Sequence, residues 1–191
     1  MNTLYHVSKV ANLEVLEPRK STHGKPYVYA TDNYVLALFF GSPKSYGDFD
    51  GLYGVQDGIP YFYEAYKGAF KRRFENVSCY VYEVEPDTFQ KGLTSFKAEV
   101  VSTLPVKTIS CKKIDDLYEE LLKCIKDEKI KFHEFSEDEE YRKMIFNHIK
   151  SRIEMTQLYK HKDSFLYKWC EETNPQILAQ VEKEHICETD L

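Results

Sequence analysis

The chain has 191 residues, of which 42% are hydrophobic and 15% aromatic. This length suits one domain, or one domain with an appendage, and the apolar content is sufficient for a packed core, which excludes an intrinsically disordered chain. The net charge of -5 disfavours a dedicated nucleic-acid binder, whose surface is normally basic. We interpret the one basic run, at residues 67–74, as a solvated helix end.

The cysteines and the apolar pattern predict a cytoplasmic protein. The number of cysteines is odd and none forms a CxxC pair, which indicates reduced thiols rather than a disulfide framework or a zinc site. The first residues lack a charged and then apolar segment, so we expect no signal peptide. We expect no membrane span, because no stretch of about 18 apolar residues occurs. The histidines at 133, 148, 161 and 185 lack metal-ligand spacing, so we expect no bound metal.

Up to residue 112, short apolar or alternating runs are separated by Gly, Pro, Asn and Asp. The runs predict strands at 4–7, 27–30, 79–85, 98–102 and 106–110. Residues 13–16 predict a short turn or helix, and residues 34–40 a helix capped by Thr31, Asp32 or Asn33. Residues 41–60 hold five of the eight glycines and two prolines, which predicts a long loop. Residues 61–63 are either a strand or part of that loop.

After residue 112 the spacing becomes helical. One apolar stripe occupies 117, 121 and 125, and a second occupies 141, 145, 149 and 153 after a capping box formed by Ser136 and Glu139. Residues 165–170 predict a third helix, and Asn174 with Pro175 begins a fourth. We therefore predict an α+β domain over 1–112, followed by an α-helical C-terminal segment over 113–191, with the oligomeric state left open. Cys79 and Cys111 are expected to be buried in strands.

Three features of the first 112 residues carry residues suited to chemistry on a nicotinamide glycoside. They are Tyr5-His6-Val7-Ser8 at a first strand, the run from Tyr27 to Asp32 before a helix, and Glu99 at the start of an apolar strand. When nicotinamide leaves a ribose, a sugar cation develops that a carboxylate stabilises. An aromatic ring can stack on the flat nicotinamide, and a histidine can bind the other ribose.

In this order and spacing, the three features resemble the H-Y-E pattern of the ADP-ribosyltransferase superfamily. The layout is similar to the poly-ADP-ribose-polymerase-like branch and to the small bacterial rifampin ADP-ribosyltransferases, and the run 81–86 resembles a strand of the latter. The resemblance covers roughly residues 4–110. It implies an NAD-binding domain with a split β-sheet core that uses NAD as co-substrate, needs no metal, and transfers ADP-ribose to a protein, a nucleic acid or a small molecule.

The resemblance also implies residue roles. His6 would bind the adenosine-side ribose, and Ser8 would support the ligand. Tyr29 would stack on nicotinamide, and Thr31, at the end of the same strand, would also contact the cofactor. Phe39 or Phe40 would form the other wall of the slot. Glu99 would hold the nicotinamide ribose as the catalytic acid. The loop 41–60 would act as a lid or as a target-recognition loop.

The third motif departs from parts of the family. Lys97 stands where the arginine-modifying branch carries a glutamate, so arginine transfer by that mechanism is not expected. Small-molecule-modifying members can use an aspartate on a different local pattern, which leaves Glu85 as an alternative to Glu99.

Two other functions remain open for the same fold. One is a non-catalytic nucleotide-binding or interaction module, since many proteins keep a fold and change its chemistry. The other is an RNA 2'-phosphotransferase, which we disfavour. That family needs several arginines around the phosphate, and Arg19 is the only arginine in the first 70 residues.

Overall fold

The computed structural model describes residues 3–20, 25–42, 48–94 and 96–189. These residues form two compact units that alternate along the chain. The first unit comprises 3–20, 25–42, 54–60, 74–94 and 96–131, and the second comprises 48–53, 61–73 and 132–189. Strands and helices both contribute, so the α+β class predicted from the sequence is confirmed.

Two antiparallel sheets build the first unit. One has the order β1 (Leu4–Ser8), β7 (Cys79–Val84), β10 (Val106–Ile114) and β2 (Val15–Leu16). The other has the order β3 (Arg19–Lys20), β4 (Pro26–Ala30), β9 (Val100–Ser102) and β8 (Gln90–Lys91). A single hydrophobic cluster draws side chains from both sheets, including Leu4, Val28, Tyr82, Val84 and Val100. Burial of this shared cluster stabilises the two sheets together.

Two helices accompany these sheets in the first unit. Helix α1 (Tyr34–Phe39) begins after Asn33, whose side chain accepts a hydrogen bond from the Leu36 N–H at 2.9 Å. Helix α3 (Leu117–Lys126) begins after Asp116 in the same manner. Such caps satisfy backbone donors that the first turn of a helix leaves unpaired.

A hairpin replaces most of the loop predicted over 41–60. Strands β5 (Gly51–Gln56) and β6 (Ile59–Glu64) are joined by Asp57 and Gly58, whose φ angles of 54° and 78° are those of a type I′ turn. With β11 (Lys131–His133) they form a third sheet of order β11-β6-β5. The loop prediction is therefore wrong for 51–60, and of the two readings of 61–63 the strand is confirmed. Residues 43–47 lie outside the described part of the chain.

The second unit contains α2 (Ala69–Phe74) up to residue 73, α4 (Glu139–Thr156), a short 3-10 helix (Leu158–Lys160), α5 (Phe165–Thr173) and α6 (Pro175–Thr189). The predicted stripe of α4 is confirmed, because Ile145, Ile149 and Ile153 are buried in its core with Trp169 and Leu178. The four helical patterns read after residue 112 correspond to α3, α4, α5 and α6.

Several local predictions are wrong. The N-cap of α4 is Asp138, which accepts hydrogen bonds from Glu140 N and Tyr141 N, whereas the Ser136 hydroxyl only accepts one from Asp138 N. Residues 15 and 16 form strand β2 instead of a turn or helix, because they pair with Val106 and Lys107 of β10. Cys79 is buried as expected, but Cys111 is exposed.

The chain does not change unit at residue 112. Strand β10 continues through this position to Ile114, where it still pairs with Cys79 of β7. Helix α3 belongs to the first unit, although its sequence pattern is that of the helical segment. Amphipathic spacing shows that a helix buries one face, but not which core covers that face.

The described residues contain no helix that is both long and apolar enough to cross a membrane. They also contain no group of three or more His, Cys, Asp or Glu side chains placed to hold a metal ion.

A buried carboxylate organises the start of α2. The Glu64 side chain is only 5% exposed and accepts backbone hydrogen bonds from Phe70 N at 2.9 Å, Phe135 N at 3.2 Å and Gly68 N at 3.4 Å. One side chain therefore binds three backbone N–H groups in two segments of the second unit. Hydrogen bonds to a charged acceptor are stronger than neutral ones, so this arrangement contributes measurably to stability.

We predict that Glu64→Gln lowers the free energy of unfolding by about 1–3 kcal/mol, because the amide NH2 cannot accept a hydrogen bond and leaves a buried donor unpaired. Urea denaturation measures the change. Glu134→Gln is the matched control, because Glu134 is exposed and lies next to Phe135. Equal stability of the two variants would contradict the capping role.

Candidate functional site

The candidate site lies in the first unit, at the junction of its two sheets. Tyr5 of β1 and Thr31, just after β4, form an isolated antiparallel bridge. They exchange both backbone hydrogen bonds, with Tyr5 N to Thr31 O at 2.8 Å and Thr31 N to Tyr5 O at 3.1 Å. In a continuing antiparallel ladder, the next such pair would be Val7 with Tyr29. The bridge is isolated, so the strands separate there and the sheet is split.

His6 occupies the point where pairing stops. Its Nδ1 lies 2.7 Å from the Tyr29 carbonyl oxygen, the acceptor that a continuing β1 backbone would have used. A carbonyl oxygen only accepts, so Nδ1 must carry the proton and donate. In the neutral ring, Nε2 is then the acceptor nitrogen. Two of the residues identified in the sequence, His6 and Tyr29, are thus joined directly.

Glu99 lies just before β9, the strand that pairs with β4. Tyr29 pairs with Val101 and Ala30 with Val100, and Glu99 directly precedes the paired part of β9. Side chains alternate along a strand, which places Tyr29 and Thr31 on one face of the second sheet. Tyr29 and Glu99 are both half-buried.

Alternation along β1 gives His6 a different direction. Thr31 shares its face with its bridge partner Tyr5, and His6 leaves β1 on the opposite side from Tyr5. The imidazole therefore meets the edge of β4, at the Tyr29 carbonyl, and not the face that carries the Tyr29 ring. We call the junction of the two sheets at Tyr5 and Thr31 the seam. A ligand that contacts His6, Tyr29 and Glu99 must cross this seam.

Phe40 is connected to Glu99 through a residue that the sequence did not single out. The Phe40 ring packs edge-on against Phe96 with centroids 6.1 Å apart. The Phe96 carbonyl accepts a hydrogen bond from the Glu99 N–H at 3.0 Å, which closes the turn before β9. Phe96 was detectable as the one aromatic residue in the polar stretch between Leu93 and Glu99. Phe39, the alternative wall, is 1% exposed and stacks on Phe74.

Thr31 and Ser8 have local structural partners. Thr31 is fully buried, and its hydroxyl oxygen accepts a hydrogen bond from Asn33 N at 3.2 Å at the start of α1. The Ser8 hydroxyl oxygen accepts one from Val10 N at 3.1 Å, where β1 ends. Both hydroxyls therefore shape the chain beside the candidate site. Ligand contact by either of them stays a prediction.

Glu85, the alternative acid, lies elsewhere in the first unit. It is exposed just after β7, and its backbone N–H bonds the Lys107 carbonyl at 3.2 Å. It lines an open cavity of about 150 Å³ together with Asp87, Thr88, Pro105, Val106 and Lys107. Glu99 directly precedes the strand that pairs with β4, whereas Glu85 follows β7 of the other sheet. The two acids are therefore separable by mutation.

Comparison with protein-family models finds no match, and comparisons with curated proteins and with solved structures find none either.

The His6 geometry predicts an unusual tautomer. Because Nδ1 donates to the Tyr29 carbonyl, the neutral ring should carry its proton on Nδ1. Long-range 1H–15N correlation spectra of the imidazole distinguish the two tautomers. His161, which is exposed, provides an internal reference. A proton on Nε2 of neutral His6 would contradict the observed junction.

Proposed function

We propose that the chain is an NAD-dependent ADP-ribosyltransferase that moves ADP-ribose to an unidentified acceptor and releases nicotinamide. One observation carries the proposal. At the isolated Tyr5–Thr31 bridge, His6 binds the Tyr29 carbonyl, and Glu99 directly precedes β9, the strand that pairs with β4. His6, Tyr29 and Glu99 are separated by tens of residues in the sequence, and we expect their side chains to contact one ligand at this seam. The split sheet supports the same proposal.

The reaction balances without an oxidant or reductant. NAD supplies the group to be transferred: the bond between ribose C1′ and the nicotinamide nitrogen breaks, its electron pair leaves with nicotinamide, and the acceptor forms the new bond to C1′ and loses a proton. Glu99 accepts a hydrogen bond from a hydroxyl of that ribose and stabilises the positive charge that develops on the sugar. Tyr29 stacks on the nicotinamide ring and orients it.

His6 and Phe40 complete the proposed site. With Nδ1 fixed on the Tyr29 carbonyl, the imidazole is held in one orientation, and Nε2 of the neutral ring can accept a hydrogen bond from the adenosine-side ribose. Phe40, anchored on Phe96, forms the second wall of the nicotinamide slot. These roles use hydrogen bonding, stacking and charge stabilisation, the chemistry that glycosidic cleavage requires.

The assignment of Glu99 can be tested against Glu85. We predict that Glu99→Gln lowers the rate of nicotinamide release from NAD by about 100-fold or more, because an amide stabilises the developing cation far less than a carboxylate. NAD affinity, measured by calorimetry, should stay within about threefold, since glutamine keeps the shape and hydrogen-bonding capacity of the side chain. Glu85→Gln, the matched control, should turn over NAD at the parent rate.

The outcomes separate the competing readings. If the parent chain gives no saturable heat with NAD, the proposed function fails and the result supports the non-catalytic module. If only Glu85→Gln loses activity, the acid is misassigned. If neither variant loses activity while the parent turns over NAD, the seam is not the catalytic site.

A further inference from the structure

A second, independent feature lies in the second unit, at Asp50. The Asp50 side chain has no exposed surface. Its Oδ1 accepts hydrogen bonds from the Tyr66 hydroxyl at 2.6 Å and from Trp169 Nε1 at 3.1 Å. Its Oδ2 is also buried and has no hydrogen-bond partner among the described residues. A carboxylate with an unpaired buried oxygen is costly, because both oxygens of the anion require hydrogen-bond donors.

The segment around Asp50 is tied to several elements of the second unit. The Asp50 carbonyl accepts a hydrogen bond from Ala65 N at 2.9 Å, just after β6. The neighbouring Phe49 carbonyl accepts one from Asn174 Nδ2 at 3.2 Å, between α5 and α6. Trp169 adds the contact from α5. A change in the charge of Asp50 therefore acts on a junction of strand, loop and helices.

Charged groups face Asp50 from α2 and α5. The Arg72 guanidinium lies 3.9 Å over the Trp169 ring and pairs with Glu172 at 2.9 Å. The Arg73 guanidinium lies 5.1 Å over the Tyr53 ring. Burial raises the pKa of Asp50, and this effect outweighs the opposing hydrogen bonds from Tyr66 and Trp169 and the charges of Arg73 and Arg72. The two arginines therefore reduce the free-energy cost of burying the negative charge of Asp50, but they do not cancel it.

Two other titratable groups occupy the same surroundings. Tyr66, which donates to Asp50, has its pKa raised far above its ordinary value by burial and stays neutral. The imidazole of His148 on α4 lies 3.0 Å from the Asp48 carbonyl oxygen through Nε2, and burial lowers its pKa. The titration of His148 is therefore a second source of pH dependence for this segment.

We propose that Asp50 is a proton-operated latch of the second unit: the neutral carboxyl group fastens the segment 48–50 against α5, and ionisation loosens it. A carboxyl group whose pKa is raised on folding stabilises the fold fully below the pKa of the unfolded chain, about 3.9. That contribution is lost as pH rises through the folded pKa. The latch therefore tightens in mild acid, the opposite of an exposed, salt-bridged aspartate.

The sole tryptophan reports on the latch directly. Trp169 is the only tryptophan of the chain, and its indole N–H donates to the titrating carboxyl group. In the full chain, we expect Trp169 fluorescence to show a pH transition with its midpoint above the ordinary aspartate range. Asp50→Asn keeps the shape and should abolish this transition. The control Asp163→Asn changes an exposed aspartate of the same unit and should keep it. Any contribution of His148 titration to the change in Trp169 fluorescence should remain in both variants.

A second variant keeps the proposal testable if Asp50→Asn fails to fold. Tyr66→Phe removes one donor that favours the ionised carboxyl group, so the midpoint should move to higher pH. As pH rises above about 3.9, the ordinary aspartate pKa, the urea midpoint of the parent should decrease more than that of Asp50→Asn. A transition that is as large in Asp50→Asn as in the parent, or a midpoint that Tyr66→Phe leaves unchanged or lowers, would overturn the latch.

Discussion

The first unit depends on one interrupted pair of strands. Tyr5 and Thr31 make a single bridge between two sheets, and the next pairing is replaced by a side chain, with His6 Nδ1 on the Tyr29 carbonyl. A backbone carbonyl that loses its ladder partner must find another donor or remain costly. The imidazole meets that requirement and leaves the sheets joined by one bridge. Burial of a hydrophobic cluster with side chains from both sheets stabilises the two sheets together.

The junction explains how much of the candidate site could be predicted from the sequence. His6, Tyr29 and Glu99 were found by residue type and order. In the fold, His6 bonds the Tyr29 carbonyl, and Glu99 directly precedes the strand that pairs with β4. Pairing could not be derived from the sequence, because register depends on which strands meet. The buried position of Thr31 and the part played by Phe96 likewise follow from tertiary packing.

The fold was predicted correctly where a regular apolar pattern extends over many residues. The prediction failed where one or two residues determine a turn or a helix start. The α4 stripe of isoleucines predicted its core face correctly. The hairpin was missed because glycine density favoured a loop, although Asp57-Gly58 between two strands is a strong type I′ signal. The α4 N-terminus was shifted because Asp138 outcompetes Ser136 for the first free N–H groups. Nothing in the sequence marks Asp50 as buried, since aspartates are mostly exposed.

A crystal structure of the chain soaked with NAD tests the central claim most directly. The account predicts a nicotinamide ring stacked on Tyr29 at about 3.5–4 Å, with the Glu99 carboxylate at about 2.7–3.2 Å from a hydroxyl of the adjoining ribose. The dinucleotide should cross the seam and reach His6. An ordered NAD in the cavity beside Glu85, or any bound pose that leaves Tyr29 and Glu99 untouched, would contradict it.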